Sequence, residues 1–355
     1  MRTLTICTFW LLAILAGCTS NAKSPSASDT DTCSFSPGEV WLDTNGDTIQ
    51  AHGAGILFYN DTYYLYGEYK KGQTLFVKDP NWDSYIKRVD VIGISCYSSK
   101  DLCNWKFEGI VLPAERNDST SDIHTGKVLE RPKVIYNDVT KKFVMWMHVD
   151  TWDYQYARAG IAVSDSPTGP FSYQGSLRPN DQMSRDMTLF KDDDGRAYHI
   201  YSSENNATMH ISLLTADYLR PAGRYTRNFI NQEREAPAVF KNNGKYYIVT
   251  SGCTGWNPNP AGYAVADSML GNWTWKGDPC INDSSKTTFG AQSTFVVKVA
   301  GKENSYIFVA DRWKPDNLRD SRYVWLPLKV NNDKLEISWL KQWKISDIEN
   351  NGKAH

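Results

Sequence analysis

The chain has 355 residues, with 39 Lys+Arg against 40 Asp+Glu, 41% hydrophobic and 22% charged residues, which excludes a disordered, collagenous or coiled-coil protein. A formal charge of -1 with no basic run gives no field to hold a polyanion, so the composition argues against DNA or RNA as main partner and for a neutral ligand. Aromatic residues make up 13%, including 13 Trp and 20 Tyr; flat amphipathic rings stack on sugars, although β-rich cores are aromatic as well.

Residues 1–17 read as a leader. Met1 and Arg2 give a positive start, the apolar run Phe9 to Leu15 is too short to span a bilayer, and Leu15-Ala16-Gly17-Cys18 resembles the lipobox of bacterial lipoproteins. That resemblance implies cleavage before Cys18, a lipid on Cys18, a tether over 18–32, and a bacterial cell-envelope location on the periplasmic or outer-membrane side. The alternative is an ordinary secretory signal with an incidental cysteine. No later stretch reaches 18 apolar residues. Cys33, Cys96, Cys103, Cys253 and Cys280 remain in an oxidising setting. Five is odd, so one is expected free, and Cys253 with Cys280 is the expected pair. The absence of Cys-x-x-Cys and His-x-x-x-His pairs argues against a zinc or redox centre, and neither metal nor cofactor is expected.

From residue 55 a hairpin unit recurs. It begins as Gly55-Ile-Leu-Phe-Tyr-Asn-Asp-Thr-Tyr-Tyr-Leu-Tyr-Gly67 and returns at Pro132 to Met147, Met187 to Tyr201, Ala236 to Val249 and Ser293 to Val309. Two copies carry Asp-Gly or Asn-Gly turns. A second hairpin type alternates with it, at Gly93 to Phe107, Gly160 to Tyr173 and Gly262 to Trp275, with looser copies at Met209 to Tyr225 and Arg322 to Trp339. Two hairpins per unit make a four-stranded sheet, and five such sheets around an axis make an all-β, five-bladed β-propeller. One catalytic domain over 33–347 is expected, followed by a polar tail, 348–355.

The innermost strand of each blade lines the central channel, so residues at the start of each first hairpin converge on one funnel. Those positions hold His52, Glu130, Asp186, Glu235 and Gln292, spaced from Glu130 by 56, 49 and 57 residues, one blade each. Several carboxyls in one concavity raise at least one pKa, which supplies the proton donor beside an ionised partner that glycoside hydrolysis needs. Any one of them alone reads more readily as a strand-entry cap than as a site residue; the shared phase favours a site. Arg131, Arg185 and Arg234 stand beside three of the acids, as anchors for hydroxyls or as structural ion pairs.

Glu130-Arg-Pro-Lys-Val-Ile-Tyr-Asn, Ser184-Arg-Asp-Met-Thr-Leu-Phe-Lys, Arg234-Glu-Ala-Pro-Ala-Val-Phe-Lys and Thr288-Phe-Gly-Ala-Gln-Ser-Thr-Phe together resemble glycoside hydrolase family 43, in particular its exo-β-1,3-galactanases. The resemblance implies an inverting enzyme that removes terminal galactose from β-1,3-galactan, as in arabinogalactan backbones, with Glu235 as general acid and Asp186 setting its pKa and touching the sugar. The Asp that most family members carry as base in the first blade is replaced by Gln50-Ala-His-Gly-Ala54. The galactanase group shares this absence. There Gln292 is implied to position the water, at an expected 6.5 to 9.5 Å from Glu235 across the funnel, with Glu130 or Glu68 as alternatives.

Further candidate walls are His52, Glu68, Tyr154, Arg185, Glu204, Asn205, Thr254 and Trp256, the last equally readable as core. His148, His199 and His210 fall within strands, where a structural role is the default. An α-L-arabinofuranosidase or β-xylosidase on the same fold, and a lipid-anchored glycan-binding propeller without catalysis, stand as alternatives. A monomer with an oligo- or polysaccharide partner is expected.

Overall fold

The structure, a computed structural model, describes residues 33–79 and 83–348. The expected leader, the expected lipidation at Cys18, the expected tether and residues 349–355 lie outside the described residues. Among those described, no helix is long and apolar enough to cross a membrane.

The chain folds as a five-bladed β-propeller. The first blade orders β1 (His52–Tyr59), β2 (Thr62–Glu68), β5 (Gly93–Ser99) and β6 (Lys106–Pro113) from the axis outward, with the hairpin of β3 (Thr74–Lys78) and β4 (Tyr85–Val89) inserted between β2 and β5. The second runs β7 (Val128–Asn137), β8 (Lys142–Asp150), β9 (Arg158–Ser164) and β10 (Ser172–Leu177), and the third β11 (Met187–Lys191), β12 (Ala197–Ser203), β13 (Thr208–Leu214) and β14 (Pro221–Asn228). The fourth holds β15 (Arg234–Asn242), β16 (Lys245–Gly252), β17 (Gly262–Ala266) and β18 (Thr274–Gly277). The fifth holds β20 (Gln292–Lys298), β21 (Tyr306–Arg312), β22 (Arg322–Asn331) and β23 (Lys334–Ser338), with the short β19 (Cys280–Ile281) parallel to β23 at its rim.

Each sheet is sandwiched between two neighbours, so middle strands such as β8 are buried on both faces and read as continuous apolar runs rather than alternations. The core is accordingly divided into five clusters, one at each blade interface. The turns Asn60-Asp61 and Asn243-Gly244 place both central residues at positive φ (48°, 54° and 48°, 79°), the backbone that two-residue hairpins require.

Among the described residues, no strand is exchanged between the first and fifth blades. The ring is instead sealed by a bridge between Phe35 and Trp343, whose rings stack at 4.2 Å beside Trp41 and Trp325. Cys33 and Cys103 form a disulfide that ties this segment to the first blade. The expected Cys253–Cys280 pair is therefore corrected: both are free, as is Cys96, so three thiols remain rather than one.

Candidate active site

Four of the five inner strands carry a β-bulge one to three residues past their first polar residue: between His52 and Gly55, Glu130 and Lys133, Glu235 and Ala238, and Ser293 and Phe295. The bulge turns the strand's start toward the axis while the remainder continues down the channel. In three blades the residue after the site residue takes a left-handed conformation: Gly53 (φ 59°), Arg131 (51°) and Ala236 (54°). The amide of each is held by a carboxylate of the preceding blade. Gly53 N donates to Asp311 Oδ2 at 3.0 Å, Arg131 N to Glu68 Oε1 at 3.0 Å and Ala236 N to Asp186 Oδ2 at 3.1 Å.

Glu68, Glu130, Tyr154, Arg185, Asp186, Glu235, Trp256 and Gln292 line one pocket of about 200 Å³ on the axis. That volume lies below the roughly 300 to 1,000 Å³ of sites for drug-sized molecules, and fits one sugar ring rather than a chain. Arg131 crosses the axis: Nε bonds Asp186 Oδ1 at 2.8 Å, Nη2 donates to Gln292 Oε1 at 2.7 Å and Nη1 to the Ser293 carbonyl at 3.1 Å. A larger concavity of about 710 Å³ opens at the far ends of the inner strands, but its lining is mainly apolar and lysine side chains, and of its two acids, Asp193 and Glu303, the first is paired with Lys241.

The carboxyls of the pocket are held in different states. Burial, and then the charge of Asp186, push Glu235 up to about 8, which outweighs Arg131. Its oxygens accept from Gln292 Nε2 at 2.9 Å and Asn206 Nδ2 at 3.2 Å. Glu130 is the opposite case. Burial works against its charge, yet bonds from His148 and Tyr154 hold it down at about 2. Burial likewise opposes charge on His148, but Asp150 at 2.8 Å and Glu130 raise it to about 9. Glu68, raised by burial, pairs with Lys70 at 2.7 Å.

Glu130, His148 and Asp186 present ligand atoms within 4.8 Å of one another. Tyr154 already donates to Glu130, Asp150 holds His148 through Nε2, and the Arg131 guanidinium is paired with Asp186 and repels a cation, so the cluster fits a polar sugar wall better than a metal centre.

Four expected walls lie elsewhere. His52 is fully buried, its Nδ1 on Asp311 Oδ1 at 3.0 Å and its ring stacked on Tyr323 at 4.9 Å, which draws it into the seam between the first and fifth blades. Glu204 is taken up within its own blade by Arg227 at 2.6 and 2.7 Å and His210 at 2.9 Å. Three successive positive-φ residues, Glu204, Asn205 and Asn206, reverse the chain so that Asn206, not Asn205, enters the pocket. Thr254 closes the 252–259 loop through Asn257 and Asn259 and carries Trp256 without lining the pocket. Arg234 turns outward onto Thr250 and the Trp275 ring.

The expected span between Gln292 and Glu235 is also corrected. The two side chains are in direct contact, Gln292 Nε2 donating to Glu235 Oε1 at 2.9 Å while Arg131 and Ser251 hold the Gln292 amide.

Lys70, His148, Asn206, Ser251 and Trp313 contact this site unforeseen. A signal existed for some of them. Glu130 pairs across the hairpin with His148, Glu235 with Ser251 and Gln292 with Asp311, so hairpin register points to each partner. Trp313 follows the fifth inner hairpin much as Trp256 follows the fourth.

The sequence model of glycosyl hydrolases family 43 matches residues 55–325. Among solved structures, a family 43 β-1,3-galactosidase determined with galactodeoxynojirimycin is 41% identical, with a TM-score of 0.79 over 87% of this chain and 100% of that one. A second family 43 β-1,3-galactosidase is 40% identical, with a TM-score of 0.81, over 89% of this chain but only 64% of its own length. An exo-β-1,3-galactanase from Phanerochaete chrysosporium, solved with β-1,3-galactotriose, is 34% identical at a TM-score of 0.78, covering 88% of this chain and 68% of that one. No curated protein matches the chain.

Proposed function

The chain belongs to glycosyl hydrolases family 43 and is a glycoside hydrolase, and from that premise we propose that it releases galactose from the non-reducing ends of β-1,3-galactan. The observation that carries the reading is a carboxyl, Glu235, at the wall of a one-sugar pocket, with its pKa raised by burial and by the charge of Asp186 while Glu130 in the same pocket is held low by His148 and Tyr154. Similarity to β-1,3-galactosidases supports the choice of sugar.

A pocket crossed by the Arg131–Asp186–Gln292 contacts admits a chain end and not a mid-chain segment, which fits exo action. Glu235 gives its proton to the leaving oxygen as the glycosidic bond breaks. Asp186 raises that pKa by its charge and holds the neighbouring Ala236 amide, so it sets both the proton and the position of the acid. With inversion, a water attacks from the opposite face, and its proton passes to a carboxylate there, Glu68 or Glu130. Trp256, with Tyr154, offers ring faces to the sugar.

We also propose arabinogalactan as the natural source of the substrate, a monomeric enzyme, and attachment to the cell envelope through a lipid on Cys18.

The test is incubation of purified protein with β-1,3-galactobiose. Galactose release with the α-anomer formed first supports the reading. Cleavage of arabinan or xylan oligosaccharides instead transfers the activity to an arabinofuranosidase or xylosidase. Binding of galactan without turnover makes it a glycan-binding propeller. Radiolabelled fatty acid incorporation, lost in Cys18→Ala, tests the anchor.

A further inference from the structure

We infer that Trp313 is a positioning residue of the hydrolysis: its indole N–H, with Arg131, fixes the amide of Gln292 so that the nitrogen faces the Glu235 carboxyl. This rests on Glu235 being the general acid.

Gln292 Oε1 receives Trp313 Nε1 at 3.0 Å and Arg131 Nη2 at 2.7 Å. Indole and guanidinium are donors only, so the carbonyl oxygen must face them. The amide nitrogen is thereby turned to Glu235 Oε1 at 2.9 Å and Ser251 Oγ at 3.1 Å. All four hydrogen-bonding positions of the amide are then filled. Through its nitrogen Gln292 acts on Glu235. As Glu235 releases its proton it becomes a carboxylate, and an N–H already aimed at Oε1 stabilises the charge that appears.

Trp313 is itself held for this purpose. Its ring meets Trp256 edge-on at 5.4 Å and His52 at 5.6 Å, and the Lys70 ammonium sits 5.7 Å from the ring centre. Without the indole N–H only Arg131 retains the oxygen, and the amide is free to turn its carbonyl toward Glu235. A carbonyl there accepts from the protonated acid and disfavours its ionised form.

Trp313→Phe keeps the ring and deletes the donor. Its kcat on β-1,3-galactobiose is expected to fall about 3- to 10-fold with KM within about twofold, as for loss of one neutral hydrogen bond. The alkaline limb of kcat/KM is expected to move up by roughly half to one pH unit. Infrared titration of the 13C-labelled Glu235 carboxyl in the free protein should move the same way. That readout needs no substrate, so a parent protein inert on galactan removes the substrate reading alone. Trp313→His, which retains a ring N–H, should keep the parent limb. A Trp313→Phe protein with parental kcat, limb and titration overturns the inference, as does a Trp313→His protein as impaired as Trp313→Phe.

Discussion

Glu235 links one side chain's surroundings to both rate and stability. Donation requires the protonated form, so kcat/KM should fall as pH rises through about 8, read from a pH–rate profile. Glu235→Gln should lose about 10² to 10⁴ in rate on unactivated galactobiose and recover most of it on a substrate with an acidic leaving group. Stability moves with it. The folded pKa lies above the unfolded one, so the group's contribution is fullest below about 4.3 and declines as pH rises toward 8. The melting-temperature difference between Glu235→Gln and the parent should therefore grow from pH 4.5 to pH 8, measured by calorimetry. Gln292→Glu sets a second carboxyl against the first, and its alkaline limb should move above the parent's as the two share a proton. The inward residues Glu130, Asp186, Glu235 and Gln292 were legible because repeat phase is a sequence property. Their partners across the axis were not, since Arg131 meets Gln292 only through the closed ring.

The bulged start of an inner strand is the element that builds this site, and Gly53 shows its tolerance. A Cβ there would lie 2.2 Å from Glu68 Oε1 at a φ of 59°. Gly53→Ala should displace Glu68, leave the Arg131 amide without its acceptor, and lower both melting temperature and turnover. Ala236→Gly is the converse: it relieves a left-handed alanine while leaving the Asp186 contact possible, so activity should persist with stability changed by less than about 1 kcal/mol. Strand hairpins were readable from their turn residues and aromatic runs, but bulges leave no such mark. The β3–β4 hairpin was also missed. It breaks the repeat, and β4 brings Ile86 and Lys87 to the pocket while Lys87 pairs with Asp316 at 2.6 Å. Asp316→Ala removes only the anchor, so it should raise KM for galactotriose more than it lowers kcat.

At the scale of the whole molecule, five apolar interfaces and one aromatic seam hold the ring. The Cys33–Cys103 bond spans 70 residues, and chain-entropy reasoning gives it about 4 kcal/mol. Replacing both cysteines by alanine should lower the melting temperature by roughly 5 to 10 °C in a scanning calorimeter. The blade count was legible from the period alone, whereas the pairing was not, because Cys33 meets Cys103 only through the seam that joins Phe35 to Trp343. That seam has a topological consequence. Since the two ends of the domain meet there without trading a strand, the starting point of the chain is arbitrary to the fold. A circular permutant that joins 33 to 348 through a short linker and opens between Asn117 and Asp118, in the exposed connection of the first two blades, should close into the same ring. Its pocket residues would keep their order around the axis while changing their order along the sequence.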